Sequence, residues 1–231
     1  SPEKYVRVNY HFMNAADSSK NFNGEAAYKF AQSLTIEMNR DLNNNKKMWL
    51  PKGNTTPVLP LQFSYRMYTN PEYPKEKGVY CHYDEALYKY VHIGYRTSNL
   101  FSKAVINKYE IGIDSILNIF ILPHDPDSVK SKTYNEGAVG VAIGNALKVA
   151  GLYETGQEAW AFRGIINHEI GHVLGLGHTW AYNDGCDDTP KNPNCWGRTK
   201  SGPCSTKASN NVMDYNASKR AWTPCQIGKV Q

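Results

Sequence analysis

Three of the chain's seven histidines fall within eleven residues, in the stretch NHEIGHVLGLGHTW at 167–180. They are His168, His172 and His178, and Glu169 directly follows the first. On an α-helix, His168 and His172 sit one turn apart on the same face, about 6 Å apart along the axis. Two imidazoles so placed can share one metal ion. A third ligand cannot come from the next turn without crowding them, so the chain must leave the helix and return a side chain from another direction. Gly175 can end a helix in the left-handed region at little steric cost, and Gly177 adds freedom just before His178. Three neutral nitrogen donors suit zinc, at roughly 2.0–2.1 Å and with one position left open. A water there has its pKa lowered to about 7, and Glu169 can accept its proton. The chemistry predicted is the addition of water to a peptide carbonyl.

The elements that must position these groups are legible as patterns. GQEAWAFRGIINHEIGHVLGLGH predicts a helix from about Gln157 to Leu174, with Phe162, Ile166, Ile170 and Val173 as its core stripe. The histidines lie roughly 200° from members of that stripe and are expected to face away from the core. Upstream, residues 4–13 alternate as a strand. Ala27, Phe30, Ala31, Leu34, Met38 and Leu42 recur at helical spacing, and the asparagine run 43–45 marks that helix's end. Residues 61–69 alternate again, and 115–123 read as a buried strand stopped by Pro123. AVGVAIG at 138–144 is short and glycine-flanked, a plausible sheet edge. Beyond Gly175 regular structure becomes sparse. The expected fold class is α+β, one catalytic domain with an upper part over 1–178 and a smaller irregular part over 179–231.

Composition narrows the function classes. Of 231 residues, 41% are hydrophobic and 20% charged, which supports a real core and argues against wholesale disorder. The net charge of +5 is scattered and forms no basic stripe interleaved with aromatics, so a nucleic-acid partner is not expected. No apolar run is long enough to span a membrane. Four of the five cysteines, Cys186, Cys195, Cys204 and Cys225, fall in the last 46 residues, a loop-rich region where disulfides help most. None is spaced C-x-x-C, which disfavours a zinc ribbon. Their presence points to an oxidising compartment, with the protein secreted, periplasmic or on a cell surface. Cys81 is left over and is expected to be a buried free thiol.

HEIGHVLGLGH matches H-E-x-x-H-x-x-G-x-x-H, the signature of metzincin metallopeptidases. Downstream, NNVMDYN supplies a methionine turn with Met213, and this form together with DDTP at 187–190 resembles the pappalysin branch of that family. The resemblance is specific over residues 160–226. It implies a mixed twisted sheet with a backing helix, an active-site helix above the cleft, and a small irregular disulfide-linked lower part. By the same resemblance His168, His172 and His178 hold zinc, and Glu169 is the general base. Met213 forms an apolar floor under the ligands, and Tyr215 approaches the metal or stabilises the oxyanion. The branch also binds calcium in the loop ending DTP, for which Asp184, Asp188 and Thr189 are at fitting spacing. An ordinary Asp/Thr turn reads those residues equally well.

Two departures from the branch stand out. Ulilysin-like members carry an acidic residue and a cysteine soon after the turn, and that acid favours arginine on the primed side of the cut. Here NASKRAW follows, with Lys219 and Arg220, so neutral or acidic preferences become possible. The cysteine also comes later, at Cys225. Analogy suggests Cys186–Cys204 and Cys195–Cys225, although four cysteines allow three pairings. The function expected is a monomeric zinc endopeptidase that binds its protein or peptide substrate as an extended strand along GVAIG. The rival is an inactive zinc-containing binding module on the same scaffold. Retention of Glu169 argues against it, since a purely structural site needs no base.

Overall fold

The hexapeptide LNIFIL has almost nothing to offer water on either face, and the chain covers it on both. A computed structural model describes residues 4–17, 21–93, 97–112, 114–130, 139–152, 158–179, 184–189, 209–215 and 219–231. In chain order the elements are β1 (Lys4–Asn14), α1 (Gly24–Asn43), β2 (Phe63–Met67), β3 (Val79–Tyr83), β4 (His92–Ile93), β5 (Thr97–Ser98), α2 (Ala104–Tyr109), β6 (Leu117–Leu122), α3 (Pro126–Val129), β7 (Val139–Ile143), β8 (Ala146–Ala150), α4 (Arg163–Val173) and α5 (Pro224–Val230). They fall into two compact units. One comprises Tyr5–Glu37 and Tyr65–Phe162, the other Ser1–Lys4, Met38–Ser64 and Arg163–Gln231.

The sheet runs β2-β1-β6-β8-β7, with β3 also paired to β1. The β1–β3, β1–β6 and β6–β8 pairs are parallel, and β7 runs antiparallel to β8 at the end of the order. Every residue of β6 is buried, as expected of a central strand covered on both faces. On one face of the first unit, Val8, Tyr10 and Phe12 meet the α1 stripe of Ala27, Ala31 and Leu34, all buried. Phe12 packs edge-on to Phe30, and the hydroxyls of Tyr10 and Thr35 share a 2.7 Å hydrogen bond. On the other face Met13, Phe120 and Leu122 pack with Val105 and Ile106 of α2. β7 has β8 as its one strand partner among the described residues. The predicted elements are therefore present, with AVGVAIG at the sheet edge as its short, glycine-flanked pattern suggested.

The helix predicted to start near Gln157 begins later than its periodicity suggests. Ala159–Ala161 form a 3-10 turn and α4 starts at Arg163, so Phe162 is buried outside the helix and Val173 is only half-buried. The start is anchored by charge. The Arg163 guanidinium donates to Asp41 on the last turns of α1 at 2.9 Å, with only 11% and 8% of the two side chains exposed. At the far end, α5 opens on Thr223 with a reciprocal capping box to Gln226 and with Pro224 at its first turn.

The disulfide expectation is corrected. Cys186 is bonded to Cys225, with Cα atoms 5.6 Å apart, so neither Cys186–Cys204 nor Cys195–Cys225 forms. The reason is the docking of the 184–189 loop on the first turn of α5. Asp188 Oδ2 accepts from the Cys225 N–H at 2.9 Å, and Lys229 Nζ donates to the Asp184 carbonyl at 2.8 Å. Those bonds bring the two thiols together across 39 residues of chain. Cys195 and Cys204 lie outside the described residues. Cys81 is free, but it is half-buried on β3 rather than enclosed.

Candidate metal centre

Helix α4 ends as its glycine predicts. Gly175 adopts φ +90, its N–H donates to the His172 carbonyl at 3.0 Å, and the Leu176 N–H reaches back to Gly171 O at 2.9 Å. That pair of bonds is a Schellman motif, closed by burial of Leu176. It also aims a ligand, because the Leu176 carbonyl accepts from His172 Nδ1 at 2.8 Å. Gly177 does not need the freedom assigned to it, since its φ is not positive; instead it leaves room beside Asp184.

The three sequence-predicted imidazoles are brought together. His168 Nε2 lies 3.2 Å and His172 Nε2 2.9 Å from His178 Nε2. Two ligands at roughly 2.0–2.1 Å around a tetrahedral ion are about 3.3 Å apart, close to these separations. The tautomers follow from the carbonyls. His168 Nδ1 donates to Val212 O at 2.7 Å and His172 Nδ1 to Leu176 O, so in both neutral rings Nε2 carries a lone pair turned inward. One proton on His178 can bridge only part of that cluster of acceptors, whereas a cation at the centre satisfies all three. Burial keeps the rings neutral, and so ready to ligate. It holds His168 well below the usual imidazole value and lowers His172. With help from His172 and Lys219 it lowers His178 to about 4.

The face that carries the histidines is nonetheless closed to water: His168 is only 2% exposed and Glu169 only 6%. The methionine turn covers them. Met213 is fully buried, and a methyl group on Gly171 would come within 2.5 Å of its sulfur. The turn also supplies Val212 O to His168 and Met213 O to the Thr179 N–H, next to the third histidine. Tyr215 lies with its ring centre 4.9 Å from that of His178 and 5.7 Å from that of His168. Burial and the nearby Glu169 carboxylate raise its pKa, so it is a phenol donor at neutral pH.

Several positioning residues escaped the sequence reading. Gly171 sits inside the H-E-x-x-H spacing, where a glycine in mid-helix was itself the available signal. Asn211 and Asp214 flank Met213. The Asp214 carboxylate accepts from the Ser209 and Tyr215 N–H groups, while Asn211 accepts from the Met213 N–H and pairs its amide reciprocally with Gln226. Among the calcium candidates, Thr189 donates to the Asp184 carboxylate, which also accepts from the Cys186 N–H. Asp188 spends one oxygen on Cys225, and the other is buried without a hydrogen bond. The Asp184–Thr189 bonds are those of a self-closed turn, and nothing further supports calcium. Cys186, close to Asp188, offers no thiolate because it is in the disulfide.

Comparison with solved structures bears on this arrangement. The chain superposes on mirolysin in complex with compound 9, and on Tannerella forsythia mature mirolysin in complex with a cleaved peptide. Both matches have a TM-score of 0.57 and 15% identity, covering 100% of this chain and 91% of the other. The chain shares its fold with mirolysin, which is itself a pappalysin-like metzincin, and its mixed sheet with helices matches the expected fold class. By sequence, no protein-family model and no curated protein matches the chain.

Proposed function

We propose that the protein is a zinc-dependent endopeptidase with His168, His172 and His178 as its metal ligands. The observation that carries this reading is the convergence of three Nε2 atoms, two of them fixed as lone-pair donors by backbone carbonyls. The metzincin-like fold supports it, as does a neighbour of that fold bound to a cleaved peptide. Zinc held there supplies a Lewis acid for the scissile carbonyl and a water of lowered pKa. Glu169 takes the proton from the attacking water and returns it to the leaving amine. Its burial keeps bulk water from competing for that proton. Tyr215, held as a phenol, donates to the oxyanion that develops on the carbonyl oxygen. Met213 backs the ligands with an apolar floor. The substrate lies extended and adds a strand to β7, the last strand in the sheet order. The Cys186–Cys225 bond supports a place in an oxidising compartment, secreted, periplasmic or at a cell surface. No helix among the described residues is long and apolar enough to cross a membrane.

The test is Glu169→Gln. Hydrolysis of an unfolded protein should fall by about 10²–10⁴-fold in kcat while zinc content, read by metal analysis, stays at that of the parent. A chelator should abolish the parent's activity. Cleavage by Glu169→Gln at the parent's rate would reject the mechanism.

A further inference from the structure

The chain between Asn210 and Arg220 is a closed loop, because the Arg220 and Ala221 N–H groups both donate to the Asn210 carbonyl, at 3.0 and 2.9 Å. It carries Val212, Met213, Tyr215 and Lys219. Residues 46–49 are stapled against its base. The Lys46 N–H donates to Arg220 O at 3.3 Å, Asn210 Nδ2 donates to Lys47 O at 2.9 Å, and the Trp49 N–H donates to Asn210 Oδ1 at 2.9 Å. These bonds leave an open pocket of about 460 Å³ whose lining includes Lys46, Lys47, Trp49, Asn54, Asn210 and Arg220 and has no carboxylate.

Cations dominate this pocket, although Arg220 also lies 4.0 Å from the Asp41 carboxylate and Lys46 donates to Asn44 Oδ1 at 2.7 Å. Three cationic side chains border an indole that is 56% exposed. Asn210 spends its amide on the backbone, and Asn54 donates to Met48 O and Pro51 O at 3.0 and 2.9 Å. The cationic surface also runs toward the histidines. Lys219 precedes Arg220, and its Cβ lies 3.7 Å from where a side chain on Gly164 would begin, against the first turn of α4.

We propose that this pocket is a subsite for acidic side chains of the substrate, so that the peptidase selects chains carrying glutamate or aspartate near the cut bond. The inference rests on the peptidase reading above and adds the substrate class to it. A peptide held at the histidines passes Lys219 and meets Arg220, Lys46 and Lys47 on the same unit. The Trp49 face covers the apolar stems of its acidic side chains. Each exposed ion pair contributes little alone, so the selectivity comes from several acting together.

The experiment uses the full chain, zinc-loaded and carrying Glu169→Ala so that nothing is cut. The probes are a short fluorescein-labelled peptide with a run of glutamates and the same peptide with glutamines. The glutamate peptide should bind about tenfold more tightly at low salt, shift the Trp49 emission, and lose that margin as salt approaches physiological strength. Adding Lys46→Gln and Lys47→Gln should bring the two affinities within about twofold. Lys47→Gln alone should give an intermediate margin, which keeps the test valid if the double variant folds poorly. Equal affinities in the parent, or a margin that survives both substitutions, overturns the proposal. So does a sulfated oligosaccharide that binds more tightly and displaces the peptide. Cleavage is read separately on the zinc-loaded chain with Glu169 intact: tight glutamate binding with no peptide cleaved by that chain would reject the peptidase and keep the pocket. Cleavage of both peptides by it with equal kcat/KM, together with equal affinities, would do the reverse.

Discussion

Gly171 shows how one hydrogen atom decides whether the methionine turn can close on the active-site helix. A helical glycine costs about 1 kcal/mol relative to alanine, and here the absent methyl makes room for the Met213 sulfur. Gly171→Ala recovers that propensity but overpacks a buried site, which costs about 1–3 kcal/mol. The expected net result is a loss of about 1 kcal/mol, read as a lower denaturation midpoint, with weaker zinc retention on dialysis. In a Met213→Ala background the same change should instead stabilise by about 1 kcal/mol, because only the propensity is left. A loss of stability in both backgrounds would show that the sulfur is not the obstacle. Val212 and Leu176 act at the same scale through their carbonyls, which set the ring tautomers and leave the Nε2 lone pairs of His168 and His172 facing His178.

At the scale of elements, α4 is held at both ends. Its C-terminus is closed by the Schellman motif at Gly175, and its start by the Arg163–Asp41 pair, which ties it to the last turns of α1. Both charges are buried, and without Arg163 the Asp41 carboxylate keeps Arg220, 4.0 Å away. Arg163→Ala should therefore cost about 2 kcal/mol, lowering Tm by roughly 4–8 °C for a chain of this size. Replacing both partners with apolar residues, Arg163→Met with Asp41→Leu, should recover most of that loss, since neither charge is then left unpaired. A Tm for Arg163→Ala equal to the parent's would mean that the pair contributes nothing. The same logic explains why the helix starts late. Apolar periodicity continues back through Phe162, but the element begins where Arg163 can reach Asp41.

At the scale of the whole molecule, stability should depend on pH through histidines outside the His168, His172 and His178 cluster. His11 on β1 lies between Asn118 of β6 and His82 of β3, at 2.8 and 2.9 Å. Asn118 donates its amide to the Ile111 and Ile116 carbonyls and keeps its oxygen for acceptance. His11 Nε2 therefore donates to Asn118, and His82 donates to His11 Nδ1. Burial lowers His11 to about 3 and His82 to about 4. Both values lie below the unfolded imidazole value of about 6.5, so the unfolded chain binds more protons between them. The stability is fully present above about pH 6.5 and is lost as pH falls through about 4 for His82 and about 3 for His11. The slope for His11 alone reaches about 1.4 kcal/mol per pH unit. Denaturation of His11→Phe across that range should show a shallower slope than the parent; an unchanged slope would place the protons elsewhere.

The histidine cluster, the helix that carries two of its members and the glycine that ends that helix were legible because each depends on neighbours a few residues away. Helical periodicity and the cost of a left-handed residue are local, and a stretch of fourteen residues contains them. The central strand was legible for a similar reason, since LNIFIL has no polar face to expose. The tautomer of His168, the seat of Met213 on Gly171, the start of α4, the Cys186–Cys225 bond and the cationic pocket were decided only by tertiary structure. Most of these pair groups tens to more than a hundred residues apart. Which carbonyl meets which imidazole, or which thiol meets which, depends on the docking of loops against helices, and no local pattern encodes that.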